Sequence, residues 1–276
     1  MTTGAAAITL AAINSRAKVT HGLYWDDGRA WTVSNWPRLC AELRSMRIDH
    51  IVVVTNGSDA AKAGKADGRW SASQLGALRR GRNAPRVHAM VWASPTKAFA
   101  RAFAKYCAEL HQAGIDVVEL DVERDVWGDA ATDYADKETV ARALVQIAID
   151  AGLTVGVTMI PDRVYAGFER SDYISMQSYS RYHGGLAQFD GDGPYAPGPM
   201  QRRGANAAQR LGLPLVQALG AWDQRWGTRP LGPEMMHAYE AARATSRSVR
   251  WWSSKWVIGS RAQPEVRKII EKLILA

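Results

Sequence analysis

The sequence contains few of the features that mark metal-binding or disulfide-stabilised proteins. Its 276 residues include only two cysteines, Cys40 and Cys107. Both lie in apolar patterns typical of helices, so we expect two buried free thiols rather than a disulfide. The six histidines show no zinc-motif spacing, and there is no Cys-x-x-Cys. We therefore expect no metal and no cofactor.

Long apolar runs are also missing. The apolar stretch near the start, residues 5–12 (AAAITLAA), has no basic region before it and is too short to cross a bilayer. We interpret residues 1–18 as a segment that precedes the first strand of the domain, with a cleaved signal as the alternative. Without a convincing signal, we expect cytoplasmic synthesis and no membrane insertion.

Acidic residues are the minority among charged side chains. The chain has 35 Lys and Arg against 27 Asp and Glu, a formal net charge of +8. This charge favours an anionic partner such as nucleic acid, a lipid surface or a cell-wall polymer. Because no nucleic-acid-binding motif accompanies the basic residues, we expect no nucleic-acid partner and favour the polymer.

Short apolar, β-branched runs alternate with helical patterns along the chain. Strands are predicted at residues 21–24, 50–55, 86–92, 116–123, 154–160, 173–179, 214–219 and 249–256. Helices are predicted at residues 36–46, 72–80, 95–112, 137–151, 161–170, 200–211, 233–246 and 264–275. Strict alternation predicts a parallel sheet, and eight units close naturally into a barrel.

An open, doubly wound sheet is the alternative α/β architecture. Such a sheet usually carries a glycine-rich phosphate turn after its first strand, whereas here the strand runs into residues 24–28 (YWDDG). No linker rich in Pro, Gly or Ser divides the chain. We therefore predict one (β/α)8 barrel domain over residues 1–276.

The fourth predicted strand carries three acids on one face. Side chains alternate along a strand, so Glu119, Asp121 and Glu123 point the same way. Since like charges so close cannot all ionise freely, at least one carboxyl pKa must rise. A carboxyl with a raised pKa at the end of a barrel strand suits a general acid for glycoside cleavage. The alternative is that Arg or Lys from neighbouring strands neutralises the acids.

This strand resembles that of glycoside hydrolase family 18, the chitinases and their relatives. The family pattern is DxxDxDxE, and the chain reads Asp116-x-x-Glu119-x-Asp121-x-Glu123, with Glu for Asp at the second acid. The resemblance implies that Glu123 is the proton donor and that Asp121 orients the substrate N-acetyl group, whose own carbonyl oxygen attacks. Glu119 would be the charge partner beneath them.

The resemblance also implies a tyrosine at the end of the sixth strand and a tryptophan on the eighth. Tyr179 matches the tyrosine, and Ser180 replaces the aspartate that usually follows it. The eighth strand offers three tryptophans: Trp251, Trp252 and Trp256.

A second resemblance is to the lysozyme-type muramidases of family 25, which are also barrels. It depends on the D-x-E of Asp121 and Glu123. These muramidases begin with an aspartate on the first strand, for which Asp26 is an imperfect counterpart.

Aromatic and polar side chains near predicted strand ends favour a sugar-binding cleft. The chain has 11 tryptophans, and flat sugar faces stack on indole rings while hydroxyl groups pair with polar side chains. For any single tryptophan, packing in the core is the alternative. The residues predicted to bind substrate are Tyr24, Trp25, Asp26, Asn56, Trp92, Gln177, Gln217, Trp222, Asp223 and Trp252.

These features predict a monomeric, retaining glycosidase that cleaves a β-linked polymer of N-acetylated amino sugars. The substrate-assisted route is an exception to the two-carboxylate scheme. Peptidoglycan is the favoured polymer because of the basic charge, as for the compact wall-lytic enzymes that phages encode, and chitin is the second choice. A lectin-like barrel without turnover is the alternative of another class. An enzyme of phosphorylated metabolites is disfavoured, because residues 220–224 (GAWDQ) are acidic and aromatic where barrels bind phosphate.

Overall fold

Eight parallel strands close into a barrel in the order in which they follow one another in the chain. The computed structural model describes residues 19–26, 35–179, 196–220, 231–258 and 264–275. The strands are β1 (Thr20–Trp25), β2 (His50–Val54), β3 (Arg86–Trp92), β4 (Val117–Asp121), β5 (Thr154–Met159), β6 (Tyr173–Gln177), β7 (Leu215–Gly220) and β8 (Ser248–Trp252). Because β8 pairs with β1, the sheet has no open edge. The predicted (β/α)8 barrel is confirmed.

Helices surround the barrel and bury their apolar faces against it. They are α1 (Trp36–Ser45), α2 (Ser58–Lys62), α3 (Ala72–Arg79), α4 (Lys97–Gln112), α5 (Lys137–Asp150), α6 (Pro199–Leu211), α7 (Leu231–Thr245), α8 (Ser254–Val257) and α9 (Pro264–Leu275). A short π-helical turn, Arg124–Gly128, follows β4. In α4, Phe99 and Phe103 stack on one buried face, as the helical period predicts.

The helix predicted over residues 161–170 is wrong. This segment joins β5 to β6 through turns. Gly167 has φ of +94°, and a Cβ atom there would lie 2.6 Å from the carbonyl oxygen of Glu138, so the backbone leaves the helical region to pack tightly on α5. The segment also buries Phe168, whose ring lies 5.4 Å from that of Trp127. Close packing on the neighbouring helix therefore outweighs the helical pattern.

The two cysteines are buried and free, as expected. Burial raises the pKa of both the Cys40 and the Cys107 thiols, so neither thiol ionises readily. Among the described residues, no helix is both long and apolar enough to cross a membrane.

Candidate active site

A buried ion pair occupies the middle of the barrel. Glu119 of β4 pairs with Arg250 of β8, and its carboxylate also accepts hydrogen bonds from Thr158 and from the hydroxyl groups of Tyr24 and Tyr173, each of the latter two at 2.8 Å. Burial acts to raise the pKa of Glu119, but Arg250 and the hydrogen-bond donors outweigh it and lower that pKa. The alternative of a neutralising arginine therefore applies to Glu119.

Asp121 and Glu123 lie above this ion pair, at the C-terminal end of β4. Both carboxylates accept a hydrogen bond from the same Gln177 amide: Nε2 lies 3.2 Å from Asp121 Oδ1 and 2.8 Å from Glu123 Oε1. Asp121 is buried, whereas Glu123 is partly exposed. The structure therefore brings three of the predicted site residues together at the mouth of the barrel.

Both of these carboxyl groups resist ionisation. Burial and the nearby charges of Glu123 and Glu119 raise the pKa of Asp121 well above its ordinary value. Burial also raises the pKa of Glu123, although the hydrogen bond from Gln177 opposes the rise. A carboxyl group whose pKa is raised at the mouth of the barrel has the property that a general acid requires.

Aromatic rings surround the acids. The Trp252 ring lies 5.2 Å from the Tyr24 ring and 6.2 Å from the Tyr179 ring. Trp92 pairs in register with Asp121 on the adjacent strand and is partly exposed. Burial raises the pKa of Tyr179, so its hydroxyl stays protonated and can donate a hydrogen bond. Asp26, which directly follows β1, is partly buried.

Two predicted binding residues lie on the wrong face of the barrel. Trp25 is only 1% exposed and packs in the core between strands and helices. Gln217 is fully buried, and its amide donates to the Gln201 carbonyl oxygen (2.8 Å) and to Thr245 Oγ1 (3.2 Å). Alternation explains both errors, since the inward neighbours Tyr24 and Ala218 turn Trp25 and Gln217 outward.

Asn56, also predicted to bind substrate, instead hydrogen-bonds to backbone groups. It is fully buried, and its amide donates to the carbonyl oxygens of Lys65 and Trp92 while its oxygen accepts from the Trp92 backbone N–H at 2.7 Å. Asn56 thus joins the loop after β2 to the end of β3. Sequence alternation alone does not reveal that backbone groups occupy this amide.

Of the other tryptophans, some are buried in the core and some lie outside the described residues. Trp70, Trp127 and Trp251 are buried in the outer core. Trp222 and Asp223, both predicted to bind substrate, lie outside the described residues, as does Trp226. Within the described ranges, no group of three or more His, Cys, Asp or Glu side chains is arranged to hold a metal ion.

Sequence reasoning missed the residues that hold Glu119 in place. Arg250 lies two residues before Trp252, so the same alternation that places Trp252 at the mouth would have placed Arg250 inside the barrel. Arg250 Nε also donates to His50 Nε2 at 2.9 Å, and the His50 ring stacks on that of His88. Burial, with Arg250 next, lowers the pKa of His50 well below its ordinary value, so His50 stays neutral as an acceptor.

No protein-family model and no curated protein matches the chain. Among solved structures, the GH18 chitinase ChiB of Flavobacterium johnsoniae has a TM-score of 0.61 at 10% identity, covering 94% of both chains. GH5_18 from Streptomyces cattleya in complex with GlcNAc has a TM-score of 0.70 at 12% identity, covering 94% of this chain and 80% of its own.

A third similar structure is a mutant tryptophan synthase α-subunit from Pyrococcus furiosus. Its TM-score is 0.54 at 13% identity, and the match covers 93% of this chain and 96% of that one. Because proteins of different names share the fold at such low identity, these likenesses define a class, the (β/α)8 barrels. The chemistry must be argued from the site.

Proposed function

We propose that this chain is a glycoside hydrolase that cleaves a β-linked polymer of N-acetylated amino sugars with retention of configuration. The observation that carries the proposal is the Asp121–Glu123 pair at the barrel mouth, joined through the Gln177 amide. The raised pKa of the Glu123 carboxyl and its partial exposure suit a proton donor that meets its substrate from solvent. Trp252 and Trp92 border the same opening and suit the apolar faces of sugar rings.

The proposed reaction has two steps. In the first, Glu123 donates its proton to the glycosidic oxygen as the C–O bond breaks, and the carbonyl oxygen of the substrate's own acetamido group bonds to the anomeric carbon. Asp121 accepts from the acetamido N–H, and Tyr179 donates to the same group. In the second step, ionised Glu123 takes a proton from the water that attacks the anomeric carbon, and the bond between that carbon and the acetamido oxygen breaks. This returns Glu123 to its protonated form.

Bacterial peptidoglycan is the proposed polymer. The formal charge of +8 supports attraction to an anionic wall polymer, and an endolysin-like protein that is made in the cytoplasm and acts on the wall would have such a charge. Chitin is the second candidate, favoured by the structural likeness to a protein named as a chitinase.

Mass spectrometry of products released from purified peptidoglycan and from chitin oligomers tests the proposal. We expect sugar fragments from wild type and a loss of activity of roughly a hundredfold or more in Glu123→Gln, since a general acid contributes about that factor. The exposed Glu265→Gln, which makes the same change of charge on the outer helix α9, is the matched control. No products from either polymer, with binding retained, would contradict hydrolysis and favour the lectin-like alternative.

A further inference from the structure

The connection between β5 and β6 consists of turns, not a helix, and it begins beside Glu123. Arg163 donates its backbone N–H to the carbonyl oxygen of Ile160 at 2.9 Å, and these two residues form an antiparallel bridge. On the adjacent strand, Asp121 pairs with Thr158. Two residues further along both strands, Ile160 therefore lies beside Glu123.

This geometry directs the Arg163 side chain toward the barrel mouth. Residues paired across an antiparallel bridge point to the same side, and alternation from the inward Thr158 puts Ile160 on the side of the site. Arg163 is exposed. Burial raises the pKa of Glu123; the hydrogen bond from Gln177 and, to a smaller extent, the charge of Arg163 oppose that rise.

Tyr165 completes this corner of the mouth. Its ring is partly buried, and its hydroxyl lies over Gly128, where a Cβ atom would come within 2.4 Å of the oxygen. Its backbone N–H lies 3.5 Å from Met159 Sδ. The ring is thus held against the turn that follows Glu123, a position from which it can contact a sugar bound at the acid.

The other charges around Glu123 are already paired. Lys62 lies 3.6 Å from Asp125, and Arg124 donates to Asp129 at 2.8 Å. Asp162, beside Arg163 in sequence, pairs instead with Arg203 of α6. Within the part of the chain that the structure describes, the Arg163 guanidinium has no acidic side chain as an ion-pair partner.

From this arrangement we infer that Arg163 and Tyr165 form a subsite for a carboxylate carried by the substrate next to the cleaved bond. The inference rests on the proposed function and names its substrate class, an amino-sugar polymer with anionic substituents. A guanidinium recognises a carboxylate through paired hydrogen bonds. In peptidoglycan the carboxylate has two sources: the stem peptides, or the lactyl group of the sugar once its peptide has been removed. Chitin has neither.

Steady-state kinetics on three substrates test the subsite: soluble peptidoglycan fragments, the same glycan strands freed of peptide by an amidase, and neutral chitin oligomers. We expect Arg163→Gln to raise KM about tenfold on a carboxylate-bearing substrate, as loss of a charge-assisted hydrogen bond does. The value of kcat should stay within about twofold, and KM for chitin oligomers should not change. Arg163→Lys should recover part of the loss.

The control is Arg170→Gln, which removes an equal charge from the same connection, where Arg170 contacts Gln146 away from the site. A KM increase only on intact fragments assigns the carboxylate to the stem peptide, and one only on peptide-free strands assigns it to the lactyl group. An equal increase on chitin oligomers, or none on any substrate, overturns the subsite. If wild type cleaves only chitin oligomers, the chain is a glycosidase but the carboxylate subsite is refuted. If wild type cleaves none of the three substrates, both the proposed function and the subsite are refuted.

Discussion

Proton affinity at the barrel mouth is set by single residues with opposing effects. Asp121 is buried beside two other carboxyl groups, and only the Gln177 amide lowers its pKa among the main influences. Glu119, two residues earlier on the same face, has the opposite environment because Arg250 neutralises it. One strand thus carries one acid whose pKa is lowered inside the barrel and two acids whose pKa values are raised at its mouth, as expected for closely spaced carboxyl groups in different environments.

The raised pKa of Asp121 makes protein stability depend on pH. Folded Asp121 keeps its proton to a higher pH than the unfolded chain does, so its contribution is destabilising once pH rises above the ordinary aspartate pKa of ~4. We expect Asp121→Asn, which keeps the oxygen that accepts from Gln177, to raise Tm by a few degrees at pH 7. The gain should vanish below about pH 4, where the wild-type carboxyl is protonated in both states.

Thermal unfolding of both proteins from pH 4 to pH 8 measures this difference. Exposed Asp67→Asn, with the same change of charge, should show no comparable gain at any pH. The same Asp121→Asn protein should have lost glycosidase activity. A Tm below that of wild type at pH 7 would contradict the proposed ionisation behaviour.

The alternation of side chains along each strand decides which residues of that strand point into the barrel and reach the site. In β6, Tyr173 and Ser175 contact the buried polar residues, Gln177 bridges the acids and Tyr179 follows at the mouth, so every second residue from 173 to 179 faces inward. In β7 the only predicted site residue, Gln217, has the opposite orientation.

Two matched substitutions test this division between strands. Gln177→Leu should reduce kcat strongly with little loss of stability, because it removes the donor that the two acids share. Gln217→Leu should lower the free energy of unfolding by about 1–3 kcal/mol, because it leaves the buried Gln201 carbonyl without that donor, and kcat should be unchanged. Urea unfolding and steady-state kinetics of both variants are the measurements. The opposite pattern, with Gln217→Leu inactive and Gln177→Leu active, would place the site on the outer face.

At the scale of the whole molecule, the Glu119–Arg250 pair joins strands from around the barrel. The ion pair links β4 to β8, and hydrogen bonds extend it to Tyr24 of β1, Thr158 of β5 and Tyr173 of β6. Both charges are buried, so neither is hydrated. If one were removed, the other would remain as an unpaired charge in the interior, which is costly in free energy. This network therefore connects five of the eight strands, β1, β4, β5, β6 and β8.

Replacing one partner of this pair should be far worse than replacing both. We expect Glu119→Gln or Arg250→Met alone to lower the free energy of unfolding by about 3–5 kcal/mol, because an unpaired charge or an unsatisfied group remains buried. The double variant should be less destabilised than the sum of the two. Urea midpoints give the values, and strict additivity would mean that the two side chains do not interact.

Much of the architecture was predictable from the chain because strand and helix periods are local. The order of the eight strands follows from alternation alone. The failure at residues 161–170 arose where Gly167 packs against α5, a contact between segments distant in sequence. Of the predicted site, Asp121, Glu123 and Gln177 meet because alternation and parallel register determine their positions. The prediction that Gln217 binds substrate failed because alternate residues of β7, including Ala218, point into the barrel and Gln217 points outward.

The sequence by itself determined the barrel class and the acid-bearing face of β4, because both depend on side-chain period within single elements. Only the tertiary structure decided which acid is neutralised, since Arg250 comes from a strand 131 residues away along the chain. It also decided that Asn56 hydrogen-bonds backbone groups and that Arg163 pairs with Ile160 in a turn after β5. Those outcomes depend on which groups from distant segments share hydrogen bonds and charge in a low-dielectric interior, and a local pattern contains no such information.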